Sequence, residues 1–219
     1  GKIISDKFLD LSLKNVKEIA HSDCNLKFVV PNWINRFRVD TFATKEPETL
    51  DWINNFEKST IFWDIGANVG LYTCYAAKSK NCKVFAFEPS IFNLELLGRN
   101  ISVNNLSDKV TIVPIPLTEY LSESKLSMST TEWGGSCSTF GQDYTHDGSQ
   151  LISKFDYKTI GLSMDQAISL LEIPQPDYIK IDVDGIEHLI LKGGSETLKN
   201  VKSLLVEVDD TFETQKENT

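Results

Sequence analysis

The residues best suited to chemistry in this chain are carboxylates set beside a glycine turn. In Asp64-Ile-Gly66-Ala-Asn68-Val-Gly70, a carboxylate precedes the first of two glycines. A second carboxylate, Glu88, follows at about the 20-residue distance at which a ribose-binding acid is expected. A dinucleotide fingerprint, G-x-G-x-x-G, aims backbone N–H groups at a pyrophosphate. Here Asn68 holds the place of the second glycine, and Asp64 repels phosphate while attracting an ammonium group. No Gly-Lys-Ser/Thr follows, which excludes a P-loop. The ligand that fits carries an adenosine, no phosphate and an amino-acid tail. That is S-adenosylmethionine, with S-adenosylhomocysteine as the product of transfer.

A second cluster lies further on. Asp182, Asp184, Glu187 and His188 follow the apolar run 178–181. Methyl transfer from a sulfonium is an in-line displacement on an already activated carbon. The protein must align the nucleophile, exclude water and take a hydroxyl proton. Asp182 is the candidate nearest the transferred methyl, to orient or deprotonate the acceptor. Asp184 and His188 are further catalytic candidates, although a lone His more often packs or faces solvent. A second-ranked alternative has Asp182, Asp184 and Glu207 hold Mg²⁺, as in catechol-type enzymes, since hard cations take carboxylates. The four cysteines show no C-x-x-C spacing and no grouping with His, so no metal site is expected from them.

The elements that must position these groups alternate strand and helix. Strands are predicted over residues 61–65, 83–89, 110–114, 159–164, 177–182 and 201–208, with helices over 71–78, from 89 or 90 onward, 166–171 and 195–198. Asp165 is the predicted cap of the 166–171 helix. Asn93 falls in the first turn after the second strand, within reach of an adenosine. Pro116, after the third strand, passes the adenine edge. Residues 118–156 interrupt the alternation. There 125–129 reads as an exposed strand, 133–141 as its return, and 143–148 as a polar loop. An insertion at the ligand end of such a sheet is more often functional than filler. Trp133 and Tyr144 are its candidate substrate wall, since aromatic rings stack on flat apolar faces. Upstream, 27–30 reads as a strand with 35–39 as its hairpin partner, and Glu46-Pro47-Glu48 opens a helix. Phe8, Leu9, Leu11 and Leu13 are candidates to pack the start of the chain onto the domain.

These segments resemble the FkbM family of S-adenosylmethionine-dependent methyltransferases. The resemblance rests on Asp64-Ile-Gly-Ala-Asn-Val-Gly-Leu-Tyr-Thr73, on Phe85-Ala-Phe-Glu-Pro89 with Asn93 and Asn100, and on Tyr178-Ile-Lys-Ile-Asp-Val-Asp-Gly-Ile-Glu187. Lys192-Gly193 and Leu205-Val-Glu-Val208 follow, so it spans roughly 38–210. It implies an α/β fold, a doubly wound, mostly parallel, Rossmann-like class I sheet. It implies cofactor contacts from Asp64, Gly66, Ala67, Asn68, Tyr72, Thr73, Glu88, Pro89, Asn93 and Pro116, and an acceptor-side role for Glu187. The implied acceptor is a hydroxyl on a sugar or other polar metabolite, as in polysaccharide modification. Many relatives carry Glu where this chain has Asp184. Relatives also continue into a further helix and an antiparallel strand pair, which the polar end 212–219 lacks.

Composition narrows the alternatives. A chain of 219 residues is one domain with a small appendage, divided here as a cap over 1–58 and a cofactor-binding domain over 59–219. Net charge is −9, with 22 basic against 31 acidic residues, which disfavours binding a nucleic-acid backbone. No apolar run reaches the roughly 18–20 residues of a membrane span. There is no signal-peptide pattern, so reduced thiols in a cytoplasmic enzyme are expected. Oligomeric state is left open. A nicotinamide-dependent oxidoreductase and a non-catalytic cofactor-binding protein are the rival readings. Asp64 and the missing second glycine count against the first.

Overall fold

The structure, a computed structural model, describes residues 11–209. At its centre lie five parallel strands, β3 (Ile61–Ile65), β4 (Lys83–Phe87), β5 (Val110–Val113), β9 (Tyr178–Ile181) and β10 (Ser203–Val206), in the spatial order β10-β9-β3-β4-β5. All four residues of β9 and the last four of β3 are buried, as expected of parallel strands covered on both faces. The chain moves outward from β3 through β4 to β5, then returns to lay β9 against the other edge of β3. The order therefore reverses between β3 and β9. A crevice opens beyond the carboxyl ends of strands at such a point.

Alternation along β3 divides the core. Phe62 points into one cluster with Phe28, Tyr75 and Ala76; Trp63 and Ile65 point into another with Phe87, Met164 and Ile190. Full burial of each large side chain contributes roughly 1.5–3 kcal/mol. Asp64 shares the face of Phe62, against the helix α3 (Leu71–Ser79). The helix α4 (Ile91–Val103) follows β4 with Ser90 at its cap and buries Leu97 and Ile101 in the first cluster. Leu13 packs against a third cluster containing Val69 and Leu96, while Leu11 is exposed. Phe8, Leu9 and the end of the chain, where a strand pair was expected to be lacking, fall outside the described residues.

Three local expectations change. The partner of β2 (Cys24–Val29) is β1 (Val16–His21), upstream of it, rather than 35–39. Residues 35–39 instead lie in the helix α1 (Trp33–Asp40) because Asn32 caps it, its Oδ1 accepting from Asn35 N at 3.0 Å. The helix α2 (Pro47–Asn54) starts with Pro47 in its first turn, as the sequence indicated. The insertion forms a three-stranded antiparallel sheet in which β6 (Ser122–Met128) is flanked by β7 (Ser138–Phe140) and β8 (Phe155–Gly161). So β8 starts earlier than the predicted strand at 159, and it pairs with the insertion.

The cap of helix α5 (Met164–Leu171) is Ser163, not Asp165. Ser163 Oγ accepts from Gln166 N and Gln166 Oε1 accepts from Ser163 N, both at 3.1 Å, a reciprocal capping box. That frees Asp165 to serve the short 3₁₀ turn Thr197–Asn200, where its Oδ1 accepts from Thr197 N at 2.7 Å. Ser163→Ala should lower stability by about 1 kcal/mol, the usual effect of losing such a cap. Urea unfolding measures this, and an unmoved midpoint would show the box to be idle.

Candidate active site

The turn after β3 is tied to the next strand: Gly66 N and Ala67 N both donate to Phe87 O, at 2.9 and 3.0 Å. Gly66 has φ +82°, and a Cβ there would lie 1.8 Å from the carbonyl oxygen of Asp182. The glycine is thus required by the chain leaving β9, not by an approaching ligand. Asn68, also left-handed at φ 51°, sends its Nδ2 to Gly135 O at 2.9 Å.

Glu88 is buried. Its Oε2 accepts from Asn68 N at 2.7 Å and its Oε1 from Ser90 N at 2.8 Å. Burial pushes its carboxyl up to about 7, against the pull of those two N–H groups. Glu88, Pro89 and Asn93 line a hollow of about 50 Å³ with apolar Leu126, Phe140 and Ile186. Segment 133–136 closes over it: Asn93 Oδ1 accepts from Gly134 N at 3.0 Å, and Asn93 Nδ2 donates to Gly135 O at 3.2 Å.

A larger cavity of about 320 Å³ adjoins it and shares Gly66, Asn68, Ser136, Asp182 and Asp184 with its wall. Lys180, a buried lysine in the middle of β9, donates from Nζ to Asp182 Oδ2 at 2.6 Å. Burial works against the Lys180 charge, but Asp182 and Asp64 outweigh it and raise the ammonium's pKa. Burial likewise would raise Asp182, yet Lys180 and a hydrogen bond from Glu207 hold it well below the usual carboxylate range. That hydrogen bond, the Asp182 charge and burial together raise Glu207 above the usual carboxylate range. The Lys180 Nζ also sits 5.4 Å above the Tyr72 ring, and the Tyr72 hydroxyl donates to Glu46 Oε2 at 2.9 Å. Glu46 in turn accepts from Lys45 at 2.7 Å.

The predicted residues sort accordingly. Gly66, Ala67, Asn68, Tyr72, Asp182, Asp184 and Glu187 line the larger cavity, and Glu88, Pro89 and Asn93 the smaller. Several do not. Asp64 is buried within β3, its Oδ2 accepting from the equally buried Thr73, with Oδ1 unpartnered; neither residue reaches a cavity wall. The Pro116 carbonyl accepts from Leu162 N, tying Pro116 to the strand-to-helix connection instead of an adenine. Trp133 packs on the Val29, Val69 and Leu96 cluster, and Tyr144 against the second core cluster. Their apolar surface is used within the fold. His188 is buried among different charges, Glu119 and Lys192, with burial lowering its pKa. Glu187 secures the turn: its carboxylate accepts from Val183 N and Gly185 N, each at 3.0 Å. Asp184 secures the insertion, its Oδ2 accepting from Cys137 N at 2.8 Å and Ser138 N at 3.2 Å. The Mg²⁺ alternative fits poorly, because Lys180 and Glu207 already engage Asp182.

Sequence reasoning passed over Lys180, although a lysine inside a buried apolar run needs a stated partner. Arg38 and Glu46, outside the predicted site residues, both line the larger cavity. Sequence reasoning also found no cysteine grouped with histidine, and here the fold overturns it: Cys137 and His146 come together with Asp184.

With the geometry in place, comparisons bear on it. The sequence model described as the methyltransferase FkbM domain matches residues 64–218. Hexuronic acid methyltransferase AglP of Haloferax volcanii is 31% identical over 153 residues, covering 69% of this chain and 57% of that protein. A tRNA (guanine(37)-N(1))-methyltransferase of Dictyostelium discoideum is 28% identical over 108 residues, covering 48% of this chain and 22% of that one. The chain thus spans little more than half the length of the first and about a fifth of the second. A solved precorrin-6y C5,15-methyltransferase from Geobacter metallireducens superposes with TM-score 0.46 at 14% identity, covering 80% of this chain and 69% of that one.

The buried lysine gives a direct test of the charge array. Lys180→Met should destabilise the protein by about 3–5 kcal/mol, because Asp182 and Asp64 are left without their counter-charge. Denaturant unfolding at neutral pH reads this. A loss below about 1 kcal/mol would mean that the carboxylates are balanced from elsewhere.

Proposed function

We propose, on the premise that this chain belongs to the FkbM family of methyltransferases, that it methylates a hydroxyl of a sugar or other polar metabolite from S-adenosylmethionine. The observation that carries this is the pair of adjoining cavities, with Glu88 on the wall of the smaller and Asp182 on the wall common to both. The larger part alone has the volume of a small-molecule site. Glu88 suits a ribose, since a carboxylate accepts from paired hydroxyls. Leu126, Phe140 and Ile186 offer an apolar slot for a purine. Seating one requires segment 133–136 to yield, and that segment is held on this side by two asparagine amides.

When bound, S-adenosylmethionine supplies a methyl group on a positively charged sulfur. The chain's part is alignment and proton management. Asp182 accepts the acceptor O–H as a hydrogen bond and points the oxygen along the carbon–sulfur axis. Lys180 keeps Asp182 ionised, which makes it a weak base in the ground state. The hydroxyl proton becomes strongly acidic only as the new O–C bond forms and the S–C bond breaks, and it then passes to Asp182. Arg38 and Lys45 on the same wall suit an acceptor that carries a carboxylate. A hexuronic acid, named for the Haloferax relative, is of that kind. A nucleic-acid acceptor is disfavoured by the net charge of −9 and the acidic wall. No helix among the described residues is long and apolar enough to cross a membrane. A cytoplasmic setting belongs to the proposal and is supported by four free cysteines.

Asp182→Asn keeps the shape and removes the charge. Turnover should fall by about 10²–10⁴-fold, with affinity for S-adenosylhomocysteine nearly unchanged. A fully active variant would remove Asp182 from the mechanism.

Glu88 makes cofactor binding depend on pH. Its ionised form offers the acceptors a ribose needs, and it ionises at about 7 in the free protein. Affinity for S-adenosylhomocysteine should therefore rise between about pH 6 and pH 8 and level off above. Calorimetry reads the slope, and Glu88→Gln should be weaker and flat. Identical pH profiles for the two proteins would reject the ribose assignment.

A further inference from the structure

We propose that Cys137, His146 and Asp184 form a site for Zn²⁺, or a similar thiolate-accepting divalent cation, on the wall of the larger cavity. One donor atom from each lies within 4.8 Å of the other two. Donors around a tetrahedral zinc stand about 3.5 Å apart, given bonds of about 2.0–2.3 Å, so small side-chain rotations complete the geometry. Thiolate, imidazole and carboxylate together select zinc over magnesium or calcium, which prefer oxygen alone. Three protein ligands leave a fourth position open, the pattern of zinc sites that act on a substrate rather than of closed structural ones. All three residues line the cavity that holds Asp182, so the open position faces the acceptor space.

The fold assembles this trio from three separate segments and strains two of them to do so. Cys137 has φ 60° and Asp184 φ 64°, both left-handed without being glycine. Such conformations cost about 1–3 kcal/mol each and persist where the surroundings require them. Asp184 Oδ2 takes the Cys137 and Ser138 N–H groups, which fixes the thiol beside the carboxylate and leaves Oδ1 for an ion. His146 arrives by another route. Gly185, at φ 121°, lies so close to segment 145–146 that a Cβ would fall 2.8 Å from Thr145 O. Only glycine permits that approach. The turn carrying His146 is itself ordered. Asp147 Oδ1 accepts from Thr145 Oγ1 at 2.5 Å and from Ser149 N at 3.0 Å, and Thr145 N donates to Ser149 O at 2.9 Å. His146 Nε2 lies 3.9 Å from Asp209 Oδ2, a carboxylate placed to orient the ring.

Carboxylates crowd this wall, beside Arg38 and Lys45. Asp182, Asp184, Glu187 and Asp209 converge on it, and Lys180 is engaged with Asp182. An ion bound here would stand beside Asp182 and could draw an acceptor's oxygen toward it. That last role rests on the methyl-transfer reading; the ion site does not.

The test uses the full chain under reducing conditions without cofactor or acceptor. Zn²⁺ is added, unbound metal is removed by gel filtration, and bound zinc is measured by elemental analysis. Co²⁺ is used in parallel for its thiolate-to-metal charge-transfer absorption. The expected result is one Zn²⁺ per chain and a cobalt–thiolate band, with His146→Ala binding at least tenfold more weakly and Cys137→Ser losing the band. His146 is exposed, so its variant tests the site without threatening the fold. Cys24, Cys74 and Cys82 are buried, so Cys137 is the thiol within reach. Zinc well below one per chain, no cobalt–thiolate band, or His146→Ala binding as well as the parent would overturn the site, the last by reducing it to a single reactive thiol. Methyl transfer is absent from every readout, so loss of the ion site and loss of the enzymatic reading are told apart.

Discussion

The Lys180–Asp182 pair is the interaction on which the rest of the site depends. An ammonium placed in the middle of a strand buried on both faces is costly unless a carboxylate meets it. Here Asp182 does so at 2.6 Å, and Asp64 adds its charge from the neighbouring strand. The pair sits on β9 beside β3, where strand order reverses, and the Asp64 charge couples the two strands. It also explains why a carboxylate on the cavity wall is held below the usual range while its neighbour Glu207 is held above it. Charge at the cavity wall and stability at the centre of the sheet are the same interaction.

Around that pair, backbone approaches closer than a side chain would tolerate bring distant segments into one wall. Gly66 lets the chain leaving β9 pass over the turn after β3, and Gly185 lets segment 145–146 settle on the turn after β9. The insertion is held by carboxylate and amide side chains: Asp184 grips 137–138, and Asn68 and Asn93 grip 134–135. Asn35 Nδ2 and Arg38 Nε close the other side, on Trp133 O at 2.7 Å and Gly134 O at 2.8 Å. The segment over the Glu88 hollow is thus latched from both the N-terminal helix and the sheet. These latches are neutral or singly charged hydrogen bonds of modest net strength, so a ligand can displace them.

The resulting site is electrostatically divided. Glu88 is neutral or ionised according to pH, since burial has moved it into the physiological range. Asp182 is ionised throughout that range, since Lys180 has moved it the other way. Two carboxylates lining one hollow are thereby held in different titration ranges.

By itself the sequence determined the parallel sheet, the glycine turn, the Glu88 strand end and the carboxylate cluster after β9. Each is written in a contiguous stretch, and strand period, turn chemistry and capping act over a few residues. It also carried the signal for Lys180, a charge inside a buried run. What it left to tertiary structure were the facts that depend on which surfaces meet. Asp64 and Thr73 face the core instead of a ligand because the Phe62 side of β3 is covered by α3. Trp133 and Tyr144 are half-buried against the core clusters because the insertion folds back onto the domain. Residues 35–39 became helix because Asn32 caps them and an upstream strand had already taken the pairing edge of β2. Cys137, His146 and Asp184 meet only because Gly185 admits a loop from elsewhere in the chain. No local spacing encodes such a meeting, since close approach between segments distant in sequence is decided by packing, which exists only once the chain has folded.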